Sequence, residues 1–271
     1  MRLALVDNGS LEPAAHEALR SAAAAIGALA GADVEAVSWR HSDRIAPSRL
    51  GGAPASTLGP WVRGHLAAGE SQFVIVPYFI SAGGAIGSRL RADMEALCTS
   101  AGRFEWSLSE GLDEEGVLEG IVSDLVRERA AGLDRPAVIV VDHGGPSRAS
   151  ARIRDRVARG ARSALGSEVG PVAAASMEAP PGDGFGFCRP LFSEALRSPG
   201  FSGGDVVVAP LFLSPGRHAG PGGDLAREAR AAQAPPSRLR CHFTRLVGEH
   251  PAAAGFLAGA LQRALAAATA P

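Results

Sequence analysis

Three side chains combine types and contexts that can do metal chemistry: His143 in "VIVVDHGG", Glu178 in "ASMEAPP" and His218 in "PLFLSPGRHAGPGGDL". Two imidazoles and a carboxylate suit a borderline divalent ion such as Co²⁺, Fe²⁺, Ni²⁺ or Zn²⁺. Three protein ligands also leave coordination positions open for exchange. Histidine, with an unperturbed pKa of ~6.5, can hold a metal or accept a proton near neutrality. Metal binding needs the neutral ring, so such a site weakens in acid. Gly144 and Gly145 follow His143, and Gly216 precedes His218. Glycines there permit tight turns and close approach of a flat ligand to the backbone.

Residues so far apart in sequence converge only if the chain keeps returning to one edge. Strand-like apolar runs occur at residues 3–6, 34–38, 73–79 and about 104–107, and again at 138–141, 172–176, 206–213 and 241–244. Alanine-rich segments of helical spacing, such as 14–28, 118–131, 153–165 and 252–267, lie between them. Unbroken apolar strands alternating with helices imply a parallel sheet covered on both faces. In such sheets the functional residues follow the carboxyl ends of the strands, which is where His143, Glu178 and His218 fall.

The pattern repeats. "LALVDNGS" has the shape of "VIVVDHGG", and "VIVPYFISAGGAIGSRL" aligns with "VVVAPLFLSPGRHAGPGGDL", pairing Pro77 with Pro210, Phe79 with Phe212, Ser81 with Ser214 and Gly83 with Gly216. The offset stays near ~135 residues, as in a tandem duplication. The chain therefore reads as two α/β domains, 1–133 and 134–271, each a four-stranded parallel sheet flanked by helices. At the positions of His143, Glu178 and His218 the first copy has Asn8, Arg40 and Ala85, which are poor ligands. Its fold is kept without the chemistry.

Composition removes several alternatives. The 271 residues carry a formal net charge of −1, so nothing draws the whole chain toward nucleic acid or an anionic membrane. No lysine occurs, which excludes a Schiff-base or P-loop lysine. No apolar run reaches the ~18 residues of a membrane span, and the N-terminus lacks a signal-like pattern, so a cytoplasmic location is expected. Cys98, Cys188 and Cys241 are isolated and read as small buried hydrophobes. Six arginines lie between Arg148 and Arg162. Ile153, Val157, Ala161 and Leu165 form the apolar stripe of that helix, leaving most of the arginines as solvated surface. Arg148 at the helix start and Arg217 beside His218 are the candidates for binding carboxylates. Asp224 can cap a helix or orient an imidazole. His250 sits at the start of the last helix. His16, His41, His65 and His242 have no partner pattern.

"VDHGG" with its arginine-rich helix, "PLFLSPGRHAGPGGDL" and the closing "VGEHPAAAGFLAGALQRAL" together resemble the sirohydrochlorin chelatases of the CbiX/SirB type, relatives of the class II tetrapyrrole chelatases. The likeness is strong in the second half, and the first half looks like a worn duplicate. It implies two tandem flavodoxin-like domains that insert Co²⁺ or Fe²⁺ into sirohydrochlorin without ATP or an organic cofactor. His143 and His218 would bind metal and accept pyrrole protons, and Glu178 would assist. Gly144, Gly145, Arg148, Ser214, Gly216 and Arg217 would contact the polycarboxylate tetrapyrrole. "HGGPS" stands where the family has a shorter "HGS", and residues 181–187 form a glycine-rich insertion. A duplicated chain can supply both lobes itself, which favours a monomer. Two other classes fit the same ligands: a tetrapyrrole or metal carrier, and a metal-dependent hydrolase.

Overall fold

The computed structural model describes residues 1–81 and 85–268. The elements run β1 (Arg2–Asp7), α1 (Pro13–Ala30), β2 (Glu35–Ser38), β3 (Ser56–Thr57), α2 (Leu58–Ala67), β4 (Gln72–Pro77), α3 (Ala85–Ser100), β5 (Glu105–Leu108), α4 (Val117–Ala130), β6 (Ala137–Gly144), α5 (Arg148–Leu165), β7 (Val172–Glu178), α6 (Phe192–Ala195), β8 (Gly204–Pro210), α7 (Asp224–Ala232), β9 (Leu239–Phe243) and α8 (Pro251–Ala268). All eight expected strands are present, and their pairings are all parallel.

Contacts divide the chain into two compact units. The first is Met1–Asp113 with Pro251–Pro271, and the second is Glu114–His250. These bounds describe packing, whereas the division at residue 133 describes the sequence repeat; the two differ by one helix at each end. The last helix of each repeat lies with the other repeat's strands.

The second unit is a four-stranded sheet of order β7-β6-β8-β9. Ala137, Ile139 and Val141 of β6 join Val206 and Val208 in a buried cluster with Phe192, Ala195, Leu225 and Ala229 from α6 and α7. The alternate residues Val138, Val140 and Val207 are also buried. They point to the other face, where α5 packs on β6 and β7 and α4 packs on α5 and β8. Burial on both faces is why these strands are continuous apolar runs, each Val or Ile contributing about 1.5–3 kcal/mol. The α5 helix begins where the Ser147 hydroxyl accepts from Ser150 N–H at 3.2 Å, satisfying one of its free amide donors.

The first unit has the order β3-β2-β1-β4-β5. It carries one strand more than the expected four, the two-residue edge strand β3. A pair that short has no apolar periodicity to announce it. Trp61, Phe73 and Phe104 pack edge to face on one side of this sheet, among α2 and α3. On the other side α8 packs against α1, β4 and β5. It occupies the place in the first unit that α4 occupies in the second.

Candidate functional site

The site is assembled by a turn that only glycine can make. Gly144 closes β6 with φ 83°, and a Cβ there would lie 1.9 Å from the Glu178 carbonyl oxygen. The backbones of β6 and β7 thus cross in contact, in register at Gly144 and Glu178. This places the His143 side chain beside that of Glu178. The first unit preserves the same crossing, with Gly9 at φ 85° and its Cβ position 1.6 Å from the Arg40 carbonyl oxygen. His218 arrives from the β8–α7 loop. That loop is tied down by hydrogen bonds from Asp224 N–H to Arg217 O at 3.0 Å and from Leu225 N–H to His218 O at 3.3 Å.

The three ligand-type side chains expected to converge do so. The rings of His143 and His218 stand 4.7 Å apart, centroid to centroid, at 85° to each other. Glu178 Oε1 lies 3.7 Å from His143 Nδ1. Asp224, at the first residue of α7, has its Oδ2 2.7 Å from His218 Nδ1. The carboxylate accepts the Nδ1 proton, so the lone pair of His218 is left on Nε2. His143 Nδ1 lies 3.2 Å from the Gly144 carbonyl oxygen, which likewise favours a proton on Nδ1 and a lone pair on Nε2. His143 is 45% exposed, Glu178 64% and His218 29%. Among the described residues no group of three or more His, Cys, Asp or Glu side chains is arranged to hold a metal ion, so His143, His218 and Glu178 are neighbours and not a ready-made shell.

Beneath this cluster lies a polar network that the sequence did not reveal. Most arginines of α5 are expected at the surface, yet Arg154 is 2% exposed and belongs to the buried face with Ala151, Val157, Ala161 and Leu165, in place of Ile153. It donates to the Ser176 hydroxyl, to the Phe187 carbonyl at 2.9 Å and to Asp155 Oδ1 at 2.6 Å. Ser176 in turn donates to Asp142 at 2.5 Å. Burial raises the Asp142 carboxyl above the ordinary range, against the opposing pull of Ser176, Arg154 and His143. A three-residue spacing of buried positions, 151, 154 and 157, was the available signal. The apolar stripe drew attention to residue 153 instead.

The glycine-rich insertion forms a 3₁₀ helix, Asp183–Cys188, docked on the same turn. Cys188 Sγ donates to the Gly145 carbonyl at 3.3 Å, and the Arg148 guanidinium lies over the Phe187 ring at 4.6 Å. Arg217 is 79% exposed, with its Nε 3.8 Å from Asp224. Ser214 and Gly216 lie on the His218 loop. Neither Gly145, at φ 131°, nor Gly216 has protein within 4 Å of its Cβ position. The crowded glycine of this loop is Gly223, whose Cβ position is 2.7 Å from the His218 carbonyl oxygen.

The other histidines serve elsewhere. His242 Nε2 lies 2.7 Å from Asp205, His65 pairs with Glu35 at 3.1 Å, His41 meets Arg44, and His16 is buried in α1. The three cysteines are free, and Cys188 is fully buried. In the first unit, Arg40 pairs with Asp93 at 2.8 Å and lies over Trp39, a surface role in the place of Glu178. Gly83, the counterpart of Gly216, lies outside the described residues.

The fold of two parallel α/β units is shared with solved sirohydrochlorin chelatases. SirB from Bacillus subtilis, solved with Fe³⁺, superposes with a TM-score of 0.65 at 15% identity over 99% of this chain and 97% of its own. The sirohydrochlorin chelatase SirB from Bacillus subtilis subspecies spizizenii, in complex with cobalt, gives 0.64 at 14% over 97% and 95%. CbiX, the terminal enzyme for biosynthesis of siroheme in denitrifying bacteria, gives 0.62 at 18% over 97% and 99%. At these identities the likeness is one of fold. The model of the CbiX family matches residues 137–264, the segment holding both histidines. No curated protein sequence matches.

Proposed function

We propose that this chain inserts a divalent metal, Co²⁺ or Fe²⁺, into sirohydrochlorin or a closely related tetrapyrrole without ATP, and that His143, His218 and Glu178 carry the reaction. The observation that carries this reading is the pair of imidazoles 4.7 Å apart with a carboxylate beside them. Insertion exchanges two pyrrole N–H protons for one dication while the ion sheds its waters. Nε2 lone pairs on His143 and His218 hold the incoming ion and accept those protons, and the open arrangement lets the ion leave for the macrocycle. Asp224 fixes the His218 ring and stabilises it when protonated. Ni²⁺ and Zn²⁺ suit the same ligands.

The macrocycle would lie against the open backbone at Gly144, Gly145 and Gly216, with Ser214 at its edge. Its carboxylates would meet Arg148 and Arg217, whose guanidinium forks favour such groups. The related SirB structures with Fe³⁺ and cobalt support metal as the substrate. No described helix is long and apolar enough to cross a membrane. We place the reaction in the cytoplasm and in a monomer, without an organic cofactor.

The test is absorbance spectroscopy of the protein with sirohydrochlorin and Co²⁺ or Fe²⁺. Metal-dependent spectral change should accompany the wild type, and its rate should fall about a hundredfold or more in the His143→Ala, His218→Ala double variant. Tight pigment binding with metallation at the background rate would instead identify a carrier. Metal-dependent cleavage of model esters would point to a hydrolase.

A further inference from the structure

The buried arginine beneath the histidine pair calls for an explanation that stability does not supply. Withdrawing a guanidinium from water costs several kcal/mol, and replacing a buried ionic group with an apolar one of similar volume is often neutral or favourable. The first unit shows the apolar solution. Its strand ends keep the same pair, Asp7 and Ser38 in register, as Asp142 and Ser176 are in the second. It also keeps the same glycine crossing, Gly9 over Arg40 as Gly144 over Glu178. In both units the first strand, β1 or β6, is followed by an 18-residue helix. Seven residues into that helix the second unit has Arg154, 2% exposed, and the first has Leu19, fully buried. Between the copies the arginine disappears together with the metal-type ligands, while the carboxylate, the hydroxyl and the crossing remain.

We infer that Arg154 is a positioning residue for the metal site: its guanidinium joins the strand end bearing His143 to the strand end bearing Glu178, and so sets the spacing of the two side chains. This rests on the proposed metal-insertion function. The geometry is direct. Through the Ser176 hydroxyl, two residues before Glu178, Arg154 reaches Asp142, the residue before His143, with its Nη1 3.7 Å from Asp142 Oδ1. Its Nη2 donates to the Phe187 carbonyl, and the Phe187 ring underlies Arg148. One planar fork therefore fixes two ligand-bearing strand ends and the loop 183–188. A lysine ammonium, with a single nitrogen, cannot span these acceptors together.

The experiment titrates full-length wild type, Arg154→Met, Arg154→Lys and Ser176→Ala with Co²⁺ alone, followed by visible absorption. Folding is checked by circular dichroism and melting, and kcat and KM for the metal are measured in the insertion assay. Arg154→Met should remain folded, bind Co²⁺ about ten- to a hundredfold more weakly, and raise KM for the metal by more than it lowers kcat. Arg154→Lys should recover only part of the loss. A folded Arg154→Met protein with wild-type Co²⁺ affinity and unchanged KM would overturn the assignment. Should Arg154→Met not fold, Ser176→Ala decides by the same measurements, with weakened Co²⁺ binding expected and unchanged binding fatal. If the wild type takes up no Co²⁺, the proposed function fails. The positioning role is then judged by the imidazole NMR signals of metal-free His143 and His218, which must shift in the Arg154 variants and whose constancy refutes it.

Discussion

At the scale of single residues, the two copies show how one side chain's chemistry depends on its neighbours. Asp142 and Asp7 occupy equivalent strand ends, and burial raises both carboxyls. Asp142 has Arg154 within 3.7 Å. In the first unit the matching helical residue is Leu19, and desolvation pushes Asp7 up to about 6, with the Ser38 hydroxyl and the Gly9 N–H only partly opposing it. The folded first unit therefore prefers protonated Asp7 where the unfolded chain ionises near 3.8. This stabilisation is complete below about pH 4 and is lost as pH rises through 6, leaving an ionised carboxylate that costs on the order of 2–3 kcal/mol. Asp7→Asn should raise the denaturant midpoint of the first unit at pH 8 and flatten its decline between pH 4 and 7. Parallel pH profiles for the two proteins would contradict this. Residues of this kind are legible only in part from sequence. His143, Glu178 and His218 stand out because few side chains bind transition metals and all three follow strand ends, and the structure brings them together. Arg154 is marked only by its three-residue spacing from Ala151 and Val157, too weak a sign of burial for an arginine among five others on one helix until the partners beneath it are known.

At the scale of elements, the crossing of two strand ends at a glycine is the joint on which the site turns. A Cβ at Gly144 would strike the Glu178 carbonyl, and φ 83° adds strain for any other residue. Gly144→Ala should cost about 3 kcal/mol or more in chemical denaturation of the second unit and abolish Co²⁺ binding. Gly9→Ala should cost the first unit a similar amount and leave the cobalt titration unchanged, because the colliding backbone there carries no ligand. The strands were legible because parallel strands buried on both faces must be apolar at every position, and their ends fell within three residues of those expected. The two-residue β3 and the four-residue α6 were not, being too short to show a period. The role of residues 181–187 was also hidden: an insertion reads as a loop, whereas here it becomes a 3₁₀ helix pinned to Arg154 and Gly145.

At the scale of the whole molecule, the helices are shared out differently from the repeats. The α8 helix covers β4 and β5 of the first unit, and α4 covers β8 of the second. Residue matches suggest a repeat, but which sheet a helix covers is a tertiary choice that an alanine-rich amphipathic segment does not declare. A chain ending at His250 should therefore lose amide-exchange protection in β4 and α1, while β6 and β8 stay protected and Co²⁺ still binds. Loss of protection across Glu114–His250 would contradict the division into units.

The same division orders events at the ribosome. The second unit is contiguous in sequence, so the half that bears the histidine pair has every strand and helix it needs once residue 250 has emerged. The first unit, although translated earlier, lacks one covering layer until the final helix is released. The second unit can therefore close before the first, with the histidine pair assembled while the first unit still waits for α8.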